Sequence, residues 1–165
     1  MPKGGAFADV LAANEEYAAG FELAGLSGRA GRGLAVVTCI DSRIEPLPML
    51  GLRPGDAKIL RTPGARVTRD VLDTLVLGAH LLDVARVMVV AHTDCRMAAS
   101  EQEIHAAVRA AGGPDTRSLF VAAAPDPEAV LREDVQRIRS SPYLPGVEAA
   151  GFVYDVETGR VSAVC

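Results

Sequence analysis

Cysteine is scarce in this sequence, which has only three, Cys39, Cys95 and Cys165, among 165 residues. So few dispersed cysteines, odd in number, do not form the disulfide framework of a small secreted protein. In a reducing cytosol such residues are more often inert, catalytic or metal-bound. We interpret Cys165, the last residue, as incidental and expect it to lie outside any site.

Long basic blocks and long apolar runs are also missing. The net charge is −4, so nothing in the composition favours binding to nucleic acid or to an anionic membrane. The first 21 residues contain Lys3 but no extended apolar core, because Asp9, Asn14 and Glu15 interrupt it. We therefore expect neither a secretory signal nor a membrane span, and a cytoplasmic protein.

The sequence shows no internal repeat, low-complexity tract or interdomain linker. Its content of 49% hydrophobic and 23% charged residues is ordinary for a globular protein. We expect one domain over residues 1–165, with the Gly/Pro-rich segment 111–127 as a surface loop or mobile flap.

Strand and helix patterns alternate along the chain. Apolar runs rich in valine predict strands, and apolar residues at helical spacing predict helices, the first with Thr68 as its N-cap. The sequence ends in two strand-like segments around Glu157–Gly159, which predict a hairpin. The predicted strands are 34–39, 57–62, 85–92, 151–156 and 160–165, and the predicted helices are 68–82, 97–110 and 126–140. This order predicts an α/β fold, with a mostly parallel sheet flanked by helices on both faces and the C-terminal hairpin at one edge.

Metal-ligating side chains end two of the predicted strands. Cys39 closes the first strand, and His92 closes the strand at 85–92, with Cys95 three residues later. The carboxyl ends of parallel strands form one edge of a sheet, so these side chains are expected to converge. Two sulfurs and an imidazole select zinc over magnesium or calcium.

The number of ligands bears on whether the zinc is catalytic. Structural zinc sites have four protein ligands, whereas catalytic sites keep one position open. Only three soft ligands are visible here, and the next candidate is the carboxylate of Asp41, so we favour catalysis. We also expect Cys95 at the start of a helix, where the helix N-terminus would favour its thiolate.

These segments resemble the β-class carbonic anhydrases, in the short form found in bacteria. The family has a CxDSR segment after one strand and HxxC after another, matching Cys39–Arg43 and His92–Cys95. The resemblance extends to the N-terminal segment LAANEEYAAGF, the turn RTPGARVT and the closing GFVYDVETG. Departures from the commoner family pattern are Ile40, Thr62-Pro63, Ala91 and Arg96. We expect Arg96 to be solvated and to point away from the site.

The resemblance implies a carbonate dehydratase with one Zn²⁺ per chain, bound by Cys39, His92 and Cys95. Zinc-bound hydroxide would hydrate CO2 reversibly to bicarbonate and a proton. Arg43 would hold Asp41 away from the metal in an open form, and Asp41 would be the fourth ligand in a closed form. Two thiolates offset the charge of zinc, so activity should rise with pH, with a midpoint above neutral. Family members build the pocket at a dimer interface, which implies a homodimer or a higher oligomer.

Several other residues have expected roles. Gly64 either lets the backbone approach the site closely or is a plain turn glycine. His80 fits a helix histidine better than a proton shuttle, and His105 is expected to be exposed. Tyr17 and Phe21 are interpreted as core or dimer contacts.

Three alternatives stay open at this point. The same site could hydrolyse carbonyl sulfide or carbon disulfide, or the protein could be a non-catalytic zinc binder with Asp41 as permanent fourth ligand. A redox role for Cys39 and Cys95 is the weakest, since they are not a CxxC pair and it leaves His92 unexplained.

Overall fold

A five-stranded sheet in strand order β2-β1-β3-β4-β5 organises the fold. The computed structural model describes residues 5–165, so Lys3 and the rest of the first four residues, which the predicted domain includes, lie outside the described range. The strands are β1 Leu34–Cys39, β2 Ala57–Thr62, β3 Arg86–His92, β4 Glu148–Tyr154 and β5 Val161–Ala163. Strands β2, β1, β3 and β4 are parallel neighbours, and β5 pairs antiparallel with β4. The predicted α/β class and edge hairpin are confirmed.

Five α-helices accompany the sheet in the described part of the chain. They are α1 Ala8–Ala19, α2 Pro46–Met49, α3 Arg69–Leu81, α4 Glu101–Ala110 and α5 Pro127–Arg139. Thr68 stands at the N-cap of α3 as predicted, but its side chain makes no capping bond, and Leu82 lies just beyond the helix. Asp126 caps α5 through a 3.1 Å bond from the Ala129 amide. None of the described helices has the length and apolar character needed to cross a membrane.

The start of α4 was predicted four residues too early. The structure begins this helix at Glu101, with Ser100 as N-cap in a reciprocal capping box with Glu103. Residues 93–100 instead form turns, in which Asp94 has a φ of 53°. The prediction that Cys95 begins a helix is therefore wrong, and within residues 5–165 no helix starts at this thiol.

The interior strand β1 is buried along its whole length, as its apolar run predicted. Alternate residues supply the two faces: Ala35 and Val37 join the core beneath α3 and α5, while Leu34 and Val36 belong to a smaller cluster. The smaller cluster is completed by Leu52 and Val90, with side chains around α2 packed against it. Within one chain the two faces are thus covered unequally.

Candidate metal centre

Cys39, His92 and Cys95 converge at the carboxyl edge of the sheet. Their ligand atoms all lie within 4.8 Å of one another, a spacing that one metal ion can bridge. Cys39 is the last residue of β1 and His92 the last residue of β3, and these strands are adjacent and parallel. The expected convergence at one edge is therefore present in the structure.

The His92 ring is oriented to offer one nitrogen to a metal. Its Nδ1 lies 2.8 Å from the carbonyl oxygen of Thr93, and a carbonyl only accepts, so Nδ1 carries the proton. Its Nε2 is buried and, among the described residues, has no hydrogen-bond partner. A buried polar atom without a partner is costly, and a metal ion at this position would satisfy it. Two sulfurs and this nitrogen fit zinc.

The two thiols differ in their protonation. A hydrogen bond with Cys95 is the largest cause that lowers the pKa of Cys39, to about 3, and it outweighs partial burial. The same interaction with Cys39, together with burial, raises the pKa of Cys95. The metal-free pair therefore shares one proton, which a bound metal would displace.

The turn after β2 contributes a hydrogen-bond donor to this sulfur. The Gly64 amide donates to Sγ of Cys39 across 3.3 Å. Gly64 has a φ of +68°, and a Cβ there would stand 3.0 Å from Cβ of Met97. The close backbone approach expected of Gly64 is confirmed, because a side chain at this position would be both strained and crowded.

Asp41 and Arg43 form a bidentate ion pair beside the three ligands. Arg43 donates from Nε to Oδ1 at 2.9 Å and from Nη2 to Oδ2 at 2.8 Å, and its backbone amide also donates to Oδ1. These bonds from Arg43 hold the pKa of Asp41 well below its usual range. Oδ2 of Asp41 lies 4.0 Å from Nε2 of His92. The carboxylate thus stands next to the ligand set and outside it.

Two further residues support this arrangement, and the sequence analysis gave them no role. Arg61 donates to the carbonyl oxygens of Cys39, at 2.9 Å, and Asp41, at 2.6 Å, which fixes the chain leaving β1. Asp94 accepts a 2.8 Å bond from Nη1 of Arg43. Both lie within motifs already quoted, but their contacts join segments far apart in sequence.

Three further side chains had minor expected roles, and the structure gives the exposure and contacts of each. Arg96 is exposed as expected, yet it lines the open cleft of about 550 Å³ that also contains Asp41 and His92. His80 is exposed and its Nε2 lies 2.8 Å from the carbonyl of Tyr143. The expectation for His105 was wrong: its side chain is only 10% exposed and contacts Thr116.

Cys165 lies outside the metal-ligand group, as expected. Its side chain packs against the main core, and its sulfur fills the space beside Gly151. A Cβ on that glycine would stand 2.7 Å from the sulfur. Cys165 is therefore a packing residue.

The sequence and the fold both match proteins of known class. The family model described as carbonic anhydrase matches residues 34–117. Beta-carbonic anhydrase 1 of Mycobacterium tuberculosis is 32% identical over 162 residues, covering 94% of this chain and 96% of that protein. The chain belongs to the β-carbonic anhydrase family.

Solved structures and more distant relatives extend this result. The crystal structure of a carbonic anhydrase from Streptococcus mutans is 34% identical, with a TM-score of 0.88 over 100% of this chain and 99% of that one. A carbon disulfide hydrolase from an Acidianus species is 28% identical, covering 79% of this chain and 76% of that protein. The chain is therefore also similar to a protein whose name states a different substrate.

Proposed function

We propose that this protein catalyses the reversible hydration of CO2 to bicarbonate and a proton at a zinc ion held by Cys39, His92 and Cys95. The supporting observation is that one cleft combines three ligands suited to zinc with a carboxylate that an arginine keeps outside the ligand set. Zinc bound there would supply Lewis acidity, which lowers the pKa of water so that hydroxide forms near neutral pH.

Asp41 would orient the attacking oxygen. Because its pKa is lowered by Arg43, its carboxylate stays ionised and can only accept hydrogen bonds. Oδ1 already accepts two bonds from Arg43, whereas Oδ2 accepts one and faces the ligand set. An oxygen nucleophile that donates a hydrogen bond to Oδ2, and keeps its proton, would therefore direct a lone pair toward the carbon of CO2.

Arg43 would keep the site open by holding the Asp41 carboxylate in this orientation. A bidentate guanidinium–carboxylate pair fixes both oxygens in one plane, which a lysine could not do. With Oδ2 4.0 Å from Nε2 of His92, a modest movement of Asp41 would bring it into the ligand set and block the substrate. The closed form is thus the inactive state of the same residues.

A homodimer would complete the pocket. The cleft of about 550 Å³ is far larger than CO2 requires, so a single chain leaves the ligands open to water. Helix α1 buries none of its own residues, and Tyr17 and Phe21 are 59% and 47% exposed, which excludes them from the core. On the face of the sheet away from α3 and α5, Leu34, Met88 and Phe152 line a groove of about 360 Å³.

We propose that α1 of a second copy packs on this groove, because each chain offers a helix with exposed apolar side chains, such as Leu11 and Tyr17, and an incompletely covered apolar face. Light scattering of the wild type should give the mass of a dimer or a higher oligomer. Tyr17→Ser combined with Phe21→Ser should shift it toward the monomer. A wild type that is monomeric at micromolar concentration would contradict the dimer.

We further propose that the whole chain, 1–165, acts as one domain in the cytoplasm. The three cysteines of the described chain are free, and a site that needs two thiolates suits a reducing compartment.

The test of the activity is stopped-flow hydration of CO2 by zinc-loaded protein, with carbonyl sulfide and carbon disulfide as competing substrates. Rapid CO2 turnover that Cys39→Ala abolishes is the expected result. If carbonyl sulfide or carbon disulfide is turned over and CO2 is not, the protein is a hydrolase of these sulfur compounds. No turnover of any substrate with one zinc per chain would contradict catalysis.

A further inference from the structure

The guanidinium of Arg43 lies between two carboxylates. Nε and Nη2 donate to Asp41, while Nη1 donates to Oδ2 of Asp94 at 2.8 Å. Nη2 also donates to the backbone carbonyl of Asp94, at 3.1 Å. All three nitrogens of the guanidinium are therefore engaged, and Asp94 binds the edge that Asp41 leaves free.

Asp94 lies in the turn between the proposed ligands His92 and Cys95, with a φ of 53°. Asp41 follows β1, whereas Asp94 follows β3. Arg43 consequently ties together the two loops that follow the ligand-bearing strands β1 and β3. Its orientation depends on both anchors, because Asp41 alone could move together with the arginine.

We propose that Asp94 is a positioning residue that anchors Arg43 and thereby keeps Asp41 out of the metal's fourth position. This inference rests on the proposed zinc site. When the Asp94 carboxylate is lost, Arg43 keeps only the 3.1 Å bond from Nη2 to the backbone carbonyl of residue 94 as its link to the β3 loop. With this weaker anchor, the Asp41–Arg43 pair can shift as a unit toward His92. The closed form then gains population at the expense of the open one.

The size of the effect follows from the exposure of the pair. The side chains of Arg43 and Asp94 are 43% and 79% exposed, so water screens their attraction. Exposed ion pairs contribute weakly, which shifts the balance between open and closed forms by about 1.4-fold to fivefold.

Azide titration of the cobalt-substituted protein measures this balance, since azide can enter only an open fourth position and the cobalt absorption spectrum reports its binding. Asp94→Asn removes the charge but suits the left-handed backbone, as does the second variant Asp94→Gly. Asp83→Asn is the matched control. Asp83 is also exposed, has a φ of 61° and pairs with Arg29 at 2.8 Å, far from the site.

The loss of negative charge at Asp94 would by itself favour azide, so the same variants are also made in an Asp41→Ala background. Without the Asp41 carboxylate no closed form exists, and only this charge effect remains. We expect Asp94→Asn to weaken azide binding by about 1.4-fold to fivefold relative to its effect in the Asp41→Ala background. Asp83→Asn should change azide affinity in neither background.

Two results would contradict the inference and are distinguishable. In the first, azide binds to the wild type, and Asp94→Asn changes the azide affinity equally in the wild-type and Asp41→Ala backgrounds. This result overturns the role of Asp94 and leaves the proposed function intact. In the second, cobalt binds to the wild type but its absorption spectrum does not change with azide. The fourth position is then not open, and both proposals are contradicted.

Discussion

The amide of Gly64 donates a hydrogen bond to Sγ of Cys39, joining the turn after β2 to the last residue of β1. This bond forms only because the backbone at position 64 has a positive φ, which brings its N–H to the sulfur without a side chain in between. Gly64 therefore has two roles. It allows the backbone to form this turn, and its amide favours the negative charge on Cys39, a proposed ligand.

Gly64→Ala should lower the free energy of unfolding by about 1–3 kcal/mol, because the new methyl group meets Met97 and the left-handed backbone is strained. Gly51→Ala is the matched control: Gly51 has a φ of +63°, but nothing lies within 4 Å of its added Cβ. Urea denaturation of both variants separates crowding from strain. Equal losses in the two would contradict a specific contact at Gly64.

Zinc binding should depend on Cys95 and not on Cys165. Cys95→Ala removes a proposed ligand, so zinc affinity should fall by more than the roughly 10–100-fold that loss of a supporting residue costs. Cys165→Ala should keep one zinc per chain, because this sulfur packs in the core. Competition with a metal chelator measures both affinities. Zinc affinity equal to wild type in Cys95→Ala would exclude Cys95 as a ligand.

The metal-free protein should contain one thiolate at mildly acidic pH. The pKa of Cys39 is lowered to about 3, below its value in the unfolded chain. Ionised Cys39 therefore stabilises the fold fully above its ordinary pKa of about 8.5, and this stabilisation is lost as pH falls toward the lowered value. In a Cys165→Ala background, ultraviolet thiolate absorbance should persist at about pH 5. It should disappear in Cys39→Ser, and a band that titrates near about pH 8.5 would refute the prediction.

The buried ion pair between Arg66 and Asp134 should contribute strongly to the free energy of unfolding. Asp134 is 1% exposed and accepts bonds from Nε of Arg66, at 2.7 Å, and from the Val67 amide, at 3.0 Å. Asp134→Ala leaves Arg66 as an uncompensated cation, so the free energy of unfolding should fall by about 3–5 kcal/mol.

The control for Asp134→Ala is Asp73→Ala, whose partner Arg69 is 91% exposed and 3.8 Å away. That change should stay within about 0.5 kcal/mol. Both values come from denaturant unfolding, and similar losses in the two variants would contradict the importance of burial.

The strands and the meeting of Cys39 with His92 could be predicted, because continuous valine-rich runs identify buried parallel strands whose carboxyl ends share one edge. The predicted start of α4 is wrong because the chain after Cys95 first forms turns, and the helix begins only after its N-cap, Ser100. The Ser100–Glu103 pair in the sequence was a capping-box signal for the true start.

The link between Arg43 and Asp94 could not be predicted in the same way. It joins residues 51 positions apart, through the left-handed turn at Asp94. Neither periodicity nor composition specifies which acid an arginine will contact across two loops. The low exposure of His105 depends likewise on its contact with Thr116, 11 residues away, in an irregular loop.

The most direct test of the account is CO2 hydration by wild type and Asp41→Asn, each with one zinc per chain, from neutral to clearly alkaline pH. Wild-type turnover should rise with pH, and Asp41→Asn should lose at least about 100-fold, because the neutral amide is a weaker hydrogen-bond acceptor than the carboxylate and one of its two positions is a donor. Full activity in Asp41→Asn, or wild-type turnover that does not change with pH, would contradict the account.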